Sequence, residues 1–576
     1  MEIKLAKTAG FCMGVRRAVD TVLDVAQHET TRKIYTYGPL IHNPQTIELL
    51  KKRGITAISS LDEIKDRKNA ILIIRAHGLA PDERKKIKES GVRIIDATCP
   101  KVGYVQAIIK KHTALNYTVI IVGDREHPEV DGLWGYTKNS GIIVSTLEDV
   151  EKLPPMDKVC IVAQTTQDAD HYDRIVEKIK ETNPQIVVFN TICSSTERRQ
   201  EEIIALAREM DALFVVGGKN SANTCRLVAL AQKQNVPAFH IETAQEIRNL
   251  DMAGYRSVGV SAGASTPNWI IDQVMDCIAE NQVSPHPGWS KILKFWLWAV
   301  RTDFYSALGA GCLAWACMLL QEIPVSFSSI ALASLFVYAM HVLNRLMSSK
   351  HSELIGSFRE KSYLRHKRIY FLAAMISLMI ALLLSFSHSP LSFGVLFFMS
   401  LAGGLYNMKI LPDGWRFQRL KDIPGSKNFS TAMAWGMVTA VLPALNDPRY
   451  FNTKMAVAFV FTFVLVFIRS SMSDIMDIQS DKLLGRETIP VVIGKEKTQT
   501  LLKVILLILL CILLISFWAG WTSAISIFLI IPLLYIWICF QLCDRRSGLS
   551  GATIEGLLET IYIIAGFAVL CWFALV

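Results

Sequence analysis

Through residues 1–290, short runs of Val, Ile and Leu alternate with stretches whose apolar residues recur every three or four positions. The runs Ala70–Ile74, Thr118–Val122, Val159–Val162, Ile186–Phe189 and Ala212–Val216 show no polar alternation, the pattern of strands covered on both faces. Strand and helix patterns in turn predict βα units with parallel sheets. From residue 295 the pattern changes to long apolar runs, near 303–320, 327–346, 369–387, 391–407, 429–445, 455–471, 501–518, 521–541 and 556–575. A helix of about 20 residues crosses the hydrocarbon core, so each run can span it with modest tilt or mismatch. The predicted architecture is multidomain. An N-terminal α/β domain covers 1–280, a linker rich in Pro, Gly and aromatics covers 281–300, and an all-α membrane domain of nine transmembrane helices covers 301–576.

Charge refines this division. The net charge of +10 does not mark a nucleic-acid binder, because much of the excess Lys and Arg lies in short loops between apolar runs. Ser348–Arg368 holds six Lys and Arg and Met408–Asn428 holds five, whereas Gln321–Ser326 and Ser387–Leu391 hold none. The basic loops are therefore expected in the cytoplasm, on the same side as the N-terminal domain, in a multi-pass protein of the cell's inner (cytoplasmic) membrane. An odd number of spans puts Val576 outside. Met1–Gly14 lacks the basic start and apolar core of a signal peptide. Six of the 12 cysteines lie in the first half, whose even α/β patterning does not suggest a disulfide-stapled domain.

Residues able to do chemistry recur at one structural place. His42, His77, His127, Glu129, Thr165, Ser221, Asn223 and Ser265 all follow the carboxyl end of a predicted strand, where open α/β sheets bind ligands. Cys12, Cys99 and Cys193 show a second regularity. Each sits at a strand–cysteine–helix corner, one from each of three similar units converging on an axis. A helix N-terminus favours thiolate over thiol, and metal coordination favours it further. The lack of any Cys-x-x-Cys disfavours a zinc ribbon. Three thiolates without a near fourth suggest an iron–sulfur cluster with one iron open to substrate. Cys160, inside a strand, and Cys225 and Cys277, in helical patterns, read as packing residues.

The segments Gly10–Ala18, Tyr37–Pro44, Arg75–Gly78, Asp96–Val102, Gly123–Val130, Gln164–Thr166, Asn190–Cys193, Gly218–Asn223 and Ala262–Ser265 follow one family's motifs in that family's order. Over about residues 1–280 the chain resembles the 4-hydroxy-3-methylbut-2-enyl diphosphate reductases, which catalyse the last step of the methylerythritol phosphate route. The resemblance implies a 4Fe–4S cluster on Cys12, Cys99 and Cys193, whose unliganded iron takes the substrate's hydroxyl. Two protons, with two electrons from an external donor of ferredoxin or flavodoxin type, then remove that hydroxyl as water. Protonating the resulting allyl species at either end gives isopentenyl or dimethylallyl diphosphate. His42, His77, Ser221, Asn223 and Ser265, joined by His127, are donors suited to the diphosphate. Thr165 would orient the hydroxyl and Glu129 would supply its proton, the neighbouring diphosphate raising the acid's pKa. The family usually has Ser-Ser-Asn in the phosphate loop, whereas Ser221-Ala222-Asn223 lacks one hydroxyl here. The backbone N–H of Ala222 still donates, so weaker binding is expected.

In the second half, Asp474, Asp477 and Asp481 fall at i, i+3 and i+7, on one face of a predicted helix. Three like charges on one stripe need a cation, and Mg2+ held by few carboxylates suits a diphosphate leaving group. This motif, the nine spans and the segments Tyr406–Lys409 and Arg419–Asn428 resemble the UbiA-type intramembrane prenyltransferases. That family carries a first acidic motif, Asn-x-x-x-Asp-x-x-x-Asp. The equivalent here keeps Asn344 but has Ser348 and Ser352 in place of both aspartates, with Lys350 as a fixed cation that partly replaces metal charge. The half is therefore a transferase with an altered site, a module that binds lipid diphosphates, or an inactive anchor in the membrane lipid.

Overall fold

Twelve short strands set the frame of the first half: β1 (Glu2–Leu5), β2 (Lys33–Tyr37), β3 (Ile55–Ile58), β4 (Ala70–Ile74), β5 (Arg93–Asp96), β6 (Thr118–Val122), β7 (Ile142–Val144), β8 (Val159–Ala163), β9 (Ile186–Phe189), β10 (Ala212–Val216), β11 (Ala238–Ile241) and β12 (Ser257–Ala262). The computed structural model describes the chain except residues 30, 184, 253, 281–286, 349–362, 364, 409–411, 413–418, 545–548, 550 and 576, and, beyond these, the side chains of 287–290, 348, 543, 544 and 575. It divides into two units, Met1–Val283 and Ser284–Val576.

The strands form three four-stranded sheets, in the orders β1-β12-β10-β11, β3-β2-β4-β5 and β7-β6-β8-β9. Every pairing is parallel. All residues of β4, β8 and β10 are buried, as expected of strands that carry no polar face. Counted from the edge strands β1, β5 and β9, the three sheets have one plan. The departure from sequence order is in the first: β1 pairs along β12, Glu2 opposite Ser257 and Leu5 opposite Val260. The start of the chain therefore completes the unit built by its last strands. Glu202, on the helix Ser194–Glu209, fixes the turn that follows β1 by accepting from the N–H groups of Lys7 (2.6 Å) and Thr8 (2.9 Å).

The second unit is helical. Among the described residues, six helices are long and apolar enough to cross a membrane: Phe327–Met347, Lys367–His388, Thr453–Met476, Lys495–Trp518, Ile525–Leu542 and Gly551–Ala574. A seventh crossing is counted if Lys291–Arg301 and Phe304–Leu320, bent by 81°, form one span. The sequence expectation was nine. The other expected segments are helical but short or interrupted. Pro390–Leu405 has 16 residues, and the run from Ser426 passes through a π-turn at Met437–Val441 before reaching Pro443. Most of the two strongly basic loops lies outside the described residues.

Candidate functional site

The parallel sheets bring all strand carboxyl ends of a unit to the same edge, and the three cysteines lie there. Cys12, Cys99 and Cys193 follow the edge strands β1, β5 and β9, and each caps the N-terminus of the next helix, Met13–His28, Pro100–Ala114 or Ser194–Glu209. Each cysteine N–H donates to a carbonyl in the loop after the neighbouring strand. Cys12 reaches Ala264 after β12 (3.1 Å), Cys99 reaches Ala76 after β4 (2.9 Å) and Cys193 reaches Thr165 after β8 (2.9 Å). Two arginines tie corner to corner. Arg17 donates to the carbonyl of Thr98 (2.7 Å) and Arg199 to that of Gly10 (2.5 Å).

The donor set fits an iron–sulfur group. Helix N–H groups face the sulfurs, as where the Val15 N–H lies 3.4 Å from Cys12 Sγ. Burial pushes the Cys99 thiol up. The Lys101 and Val102 N–H groups oppose that, and the neighbouring Cys12 and Cys193 add to it. Gly14 leaves the space between them open: a Cβ there would lie 2.5 Å from Cys99 Sγ and 3.9 Å from Cys12 Sγ.

Beside the cysteines, the loops after β2, β4 and β6 bring His42, His77 and His127 together, with ring centroids 4.8, 5.6 and 5.8 Å apart. Burial lowers the pKa of all three. Arg75 lowers each further, and so do neighbouring histidines for His77 and His127, with His127 brought to about 4. His127 Nδ1 accepts the Glu129 N–H (3.1 Å), which leaves Nε2 as the protonated nitrogen of a neutral ring. His42 Nε2, His77 Nδ1 and Asn223 Nδ2 are buried polar atoms with no hydrogen-bond partner among the described residues. Such atoms cost about 1–3 kcal/mol each when nothing meets them, so they mark where a polar ligand belongs.

Ser221, Asn223 and Ser265 arrive from the first sheet, after β10 and β12, and all are buried. Ser221 Oγ accepts the Thr224 N–H (3.4 Å) as a helix cap, so its own proton is free to donate. Ala222 opens the helix Ala222–Gln232 and presents a first-turn N–H. Ser265 Oγ donates to the His42 carbonyl (3.3 Å) and so joins the first sheet's loops to the second's. Glu129 is buried and accepts both the N–H (2.7 Å) and the hydroxyl (2.8 Å) of Thr165. Burial raises its pKa, and the two Thr165 bonds oppose the rise.

The sequence reading assigned no role to Asp124, Gln164 and Arg226, which with Thr166 join these loops by hydrogen bonds, or to Arg75, a cation that lowers the pKa of each histidine. Arg75 stands two positions before the motif histidine His77. Arg226 meets Asp124 from 102 residues away, so nothing local in the sequence signals it.

In the second unit, Asp474 ends the helix Thr453–Met476 and Asp481 lies in the helix Ile478–Leu484, with the break at Asp477. The three acids therefore do not share one continuous helical stripe. Asp474 is buried and meets Lys427 Nζ (3.2 Å) and Asn428 Nδ2 (2.8 Å). Asp481 is buried, faces Arg486 at 3.5 Å, and is pushed up to about 6 chiefly by burial. Asn344 accepts from Asn407 (2.9 Å). Lys350, Ser352 and the Ser348 side chain lie outside the described residues.

The family model "LytB protein" matches residues 3–279, and the model "UbiA prenyltransferase family" matches 364–553. The first unit is similar to the 4-hydroxy-3-methylbut-2-enyl diphosphate reductase of Alkaliphilus oremlandii, 43% identical over 280 residues that make up 48% of this chain and 99% of that protein. It is also similar to the enzyme of the same name from Aquifex aeolicus, 42% identical over 283 residues, 49% of this chain and 96% of that one. Among solved structures, a UbiA homologue from Archaeoglobus fulgidus bound to GPP and Mg2+ covers 48% of this chain and 99% of its own, at 16% identity and a TM-score of 0.36.

Two outcomes follow from the geometry. Gly14→Ala places a methyl group against Cys99 Sγ in a helix that otherwise favours Ala. The variant is expected to keep its circular dichroism and lose iron on anaerobic reconstitution; wild-type iron content would show that this space is not needed. The histidines hold pKa values below the value near 6.5 of an unfolded chain, with His127 at about 4. Below pH 6.5 the unfolded chain thus binds protons that the folded cluster refuses, and stability falls toward about pH 4. Melting in the presence of inorganic pyrophosphate should lessen that loss, and His127→Asn should reduce it; a wild-type melting temperature flat across the window would remove the neutral cluster.

Proposed function

We infer the activity of this chain from one premise: it belongs to the LytB protein family, with a domain of the UbiA prenyltransferase family fused behind it. The first unit is a 4-hydroxy-3-methylbut-2-enyl diphosphate reductase, an oxidoreductase of isoprenoid biosynthesis. The observation that carries the site assignment is the double use of Thr165. Its N–H and hydroxyl hold Glu129, while its carbonyl takes the N–H of Cys193. A buried acid and a cysteine corner are thereby fixed through one residue.

A 4Fe–4S cluster on Cys12, Cys99 and Cys193 would supply, beside this acid, electrons drawn from an external carrier of ferredoxin or flavodoxin type. The chain's own residues do the rest. His42, His77, His127, Ser221, Asn223, Ser265 and the Ala222 N–H hold the diphosphate. Thr165 orients the substrate's hydroxyl. Glu129, whose pKa burial raises, gives that hydroxyl its proton directly or through Thr165. The hydroxylated substrate, two electrons and two protons become water and isopentenyl or dimethylallyl diphosphate. An incoming diphosphate raises the pKa of Glu129 further and draws protons onto the three histidines. The unpartnered His42 Nε2, His77 Nδ1 and Asn223 Nδ2 support this placement.

The second unit is a multi-pass membrane domain. The inner membrane would hold this domain with the reductase unit in the cytoplasm; the six long apolar helices, a seventh crossing if the bent pair is one span, and the basic loops support that reading. Asp474, Asp477 and Asp481 would take Mg2+ with a prenyl diphosphate, near Asn344 and Lys350. A second reading, a binding or anchoring module without chemistry, is favoured by one observation. Lys427 and Asn428 already meet Asp474, and Arg486 faces Asp481, so two of the three acids have partners without any metal.

Glu129→Gln is expected to cut anaerobic turnover by at least about 100-fold while the cluster's visible absorbance stays; an active Gln variant would take Glu129 out of the proton path. Membranes given labelled prenyl diphosphates and Mg2+ separate the two readings of the second half. Release of labelled diphosphate makes it a transferase, whereas retention of the label without release, unaltered by chelator, makes it a module.

A further inference from the structure

Asp124, Gln164, Thr166 and Arg226 close a ring of hydrogen bonds at the edge of the cleft. Arg226 Nη2 donates to both oxygens of Asp124, 2.6 Å each. The Asp124 N–H donates to Gln164 Oε1 (2.9 Å), and Gln164 Nε2 donates to Thr166 Oγ1 (3.0 Å). Arg226 Nη1 completes the circuit on the Thr166 carbonyl (2.8 Å) and Oγ1 (3.2 Å). Each member belongs to a loop that carries site residues. Asp124 precedes His127 and Glu129, Gln164 and Thr166 flank Thr165, and Arg226 follows Ser221–Asn223 by less than a helical turn. Gln164 is wholly buried, and Gly123 packs on it so closely that a Cβ there would meet its side chain at 3.1 Å.

We propose that Arg226 is a positioning residue, which locks the diphosphate loop Ser221–Asn223 to the two loops that hold Glu129 and Thr165. The proposal rests on the diphosphate-reductase reading of this cleft. The guanidinium serves it by shape as well as charge, because its two Nη atoms point at different loops. One nitrogen meets the strand-β6 loop and the other meets the strand-β8 loop, while the side chain's own helix begins at the Ser221 cap. The anion and the proton donor must be held at a set separation, and without Arg226 the first sheet's phosphate loop loses this direct tie to the third sheet's acid.

The test compares full-length, cluster-loaded wild type with Arg226→Ala, Arg226→Lys, Asp124→Asn and the double variant Asp124→Asn/Arg226→Ala. Measured quantities are kcat, KM, iron content, melting temperature and the affinity for inorganic pyrophosphate by calorimetry. Arg226→Ala is expected to keep its iron yet lose on the order of 10–100-fold in kcat/KM, with kcat lowered and pyrophosphate binding weakened together. Lys should not rescue, since one ammonium cannot hold both loops. The double variant should be no worse than Arg226→Ala alone, as for groups acting through one network. The proposal fails if Arg226→Ala keeps kcat and KM within about twofold of wild type, if its loss follows iron content or melting alone, or if the double variant's losses simply add. Should Arg226→Ala not fold, Asp124→Asn decides on the same criteria. A wild type that binds pyrophosphate but turns over no substrate overturns the reductase reading instead, so the two failures are distinct.

Discussion

The constraint on which the first unit depends is the backbone bond from each cysteine N–H to the loop beside it. Cys12, Cys99 and Cys193 each follow an edge strand, and each donates to a carbonyl at the end of the adjacent strand. A cysteine cannot move without moving a loop that carries Ser265, His77 or Thr165. Parallel pairing makes this possible, because only parallel strands deliver all their carboxyl ends, and hence all their helix N-termini, to one edge. The cysteine corners and the histidine loops are thus set side by side by sheet register.

Within that frame the cleft is built to be incomplete. A folded chain usually pairs its buried polar atoms, yet His42 Nε2, His77 Nδ1 and Asn223 Nδ2 have no partner among the described residues. Three neutral histidines crowded near Arg75 are a strained arrangement in the absence of negative charge, and an anion relieves it. Glu129 shows the converse. Its carboxyl is held by Thr165, and burial raises its pKa against the pull of those two bonds. The missing hydroxyl at Ala222 is tolerable in that setting, because the helix cap Ser221 and the first-turn N–H remain in place.

What could be read from the sequence followed from locality. Polar residues after apolar runs mark strand ends whatever the sheet order, so the cysteines, histidines, Glu129 and Thr165 were visible there. Sheet order was not visible, because nothing near Glu2–Leu5 says that its partner is Ser257–Ala262. Arg226 was hidden for the same reason: its partners lie 102 and 60 residues away, and an Arg in an amphipathic helix otherwise reads as surface. In the second half, apolar length located the helices. It did not locate the break at Asp477, since an i, i+3, i+7 spacing assumes the helix continues.

Both units pair charge within the chain, Arg226 with Asp124 in the first. In the second unit charges are met from within the chain. Asp303 accepts from Arg345 at 3.0 and 3.1 Å and from Tyr363 at 2.7 Å, and Glu559 accepts from Arg469 at 2.7 Å. Hydrocarbon offers no water to an unmatched ion, so such pairing is the condition for placing charge there at all. Asp474 and Asp481 follow the same rule through Lys427 and Arg486. Asp474 thus has a lysine and an asparagine beside its carboxylate, Asp481 has an arginine, and both first-motif aspartates are serines here, so this half meets its acids with residues of its own chain.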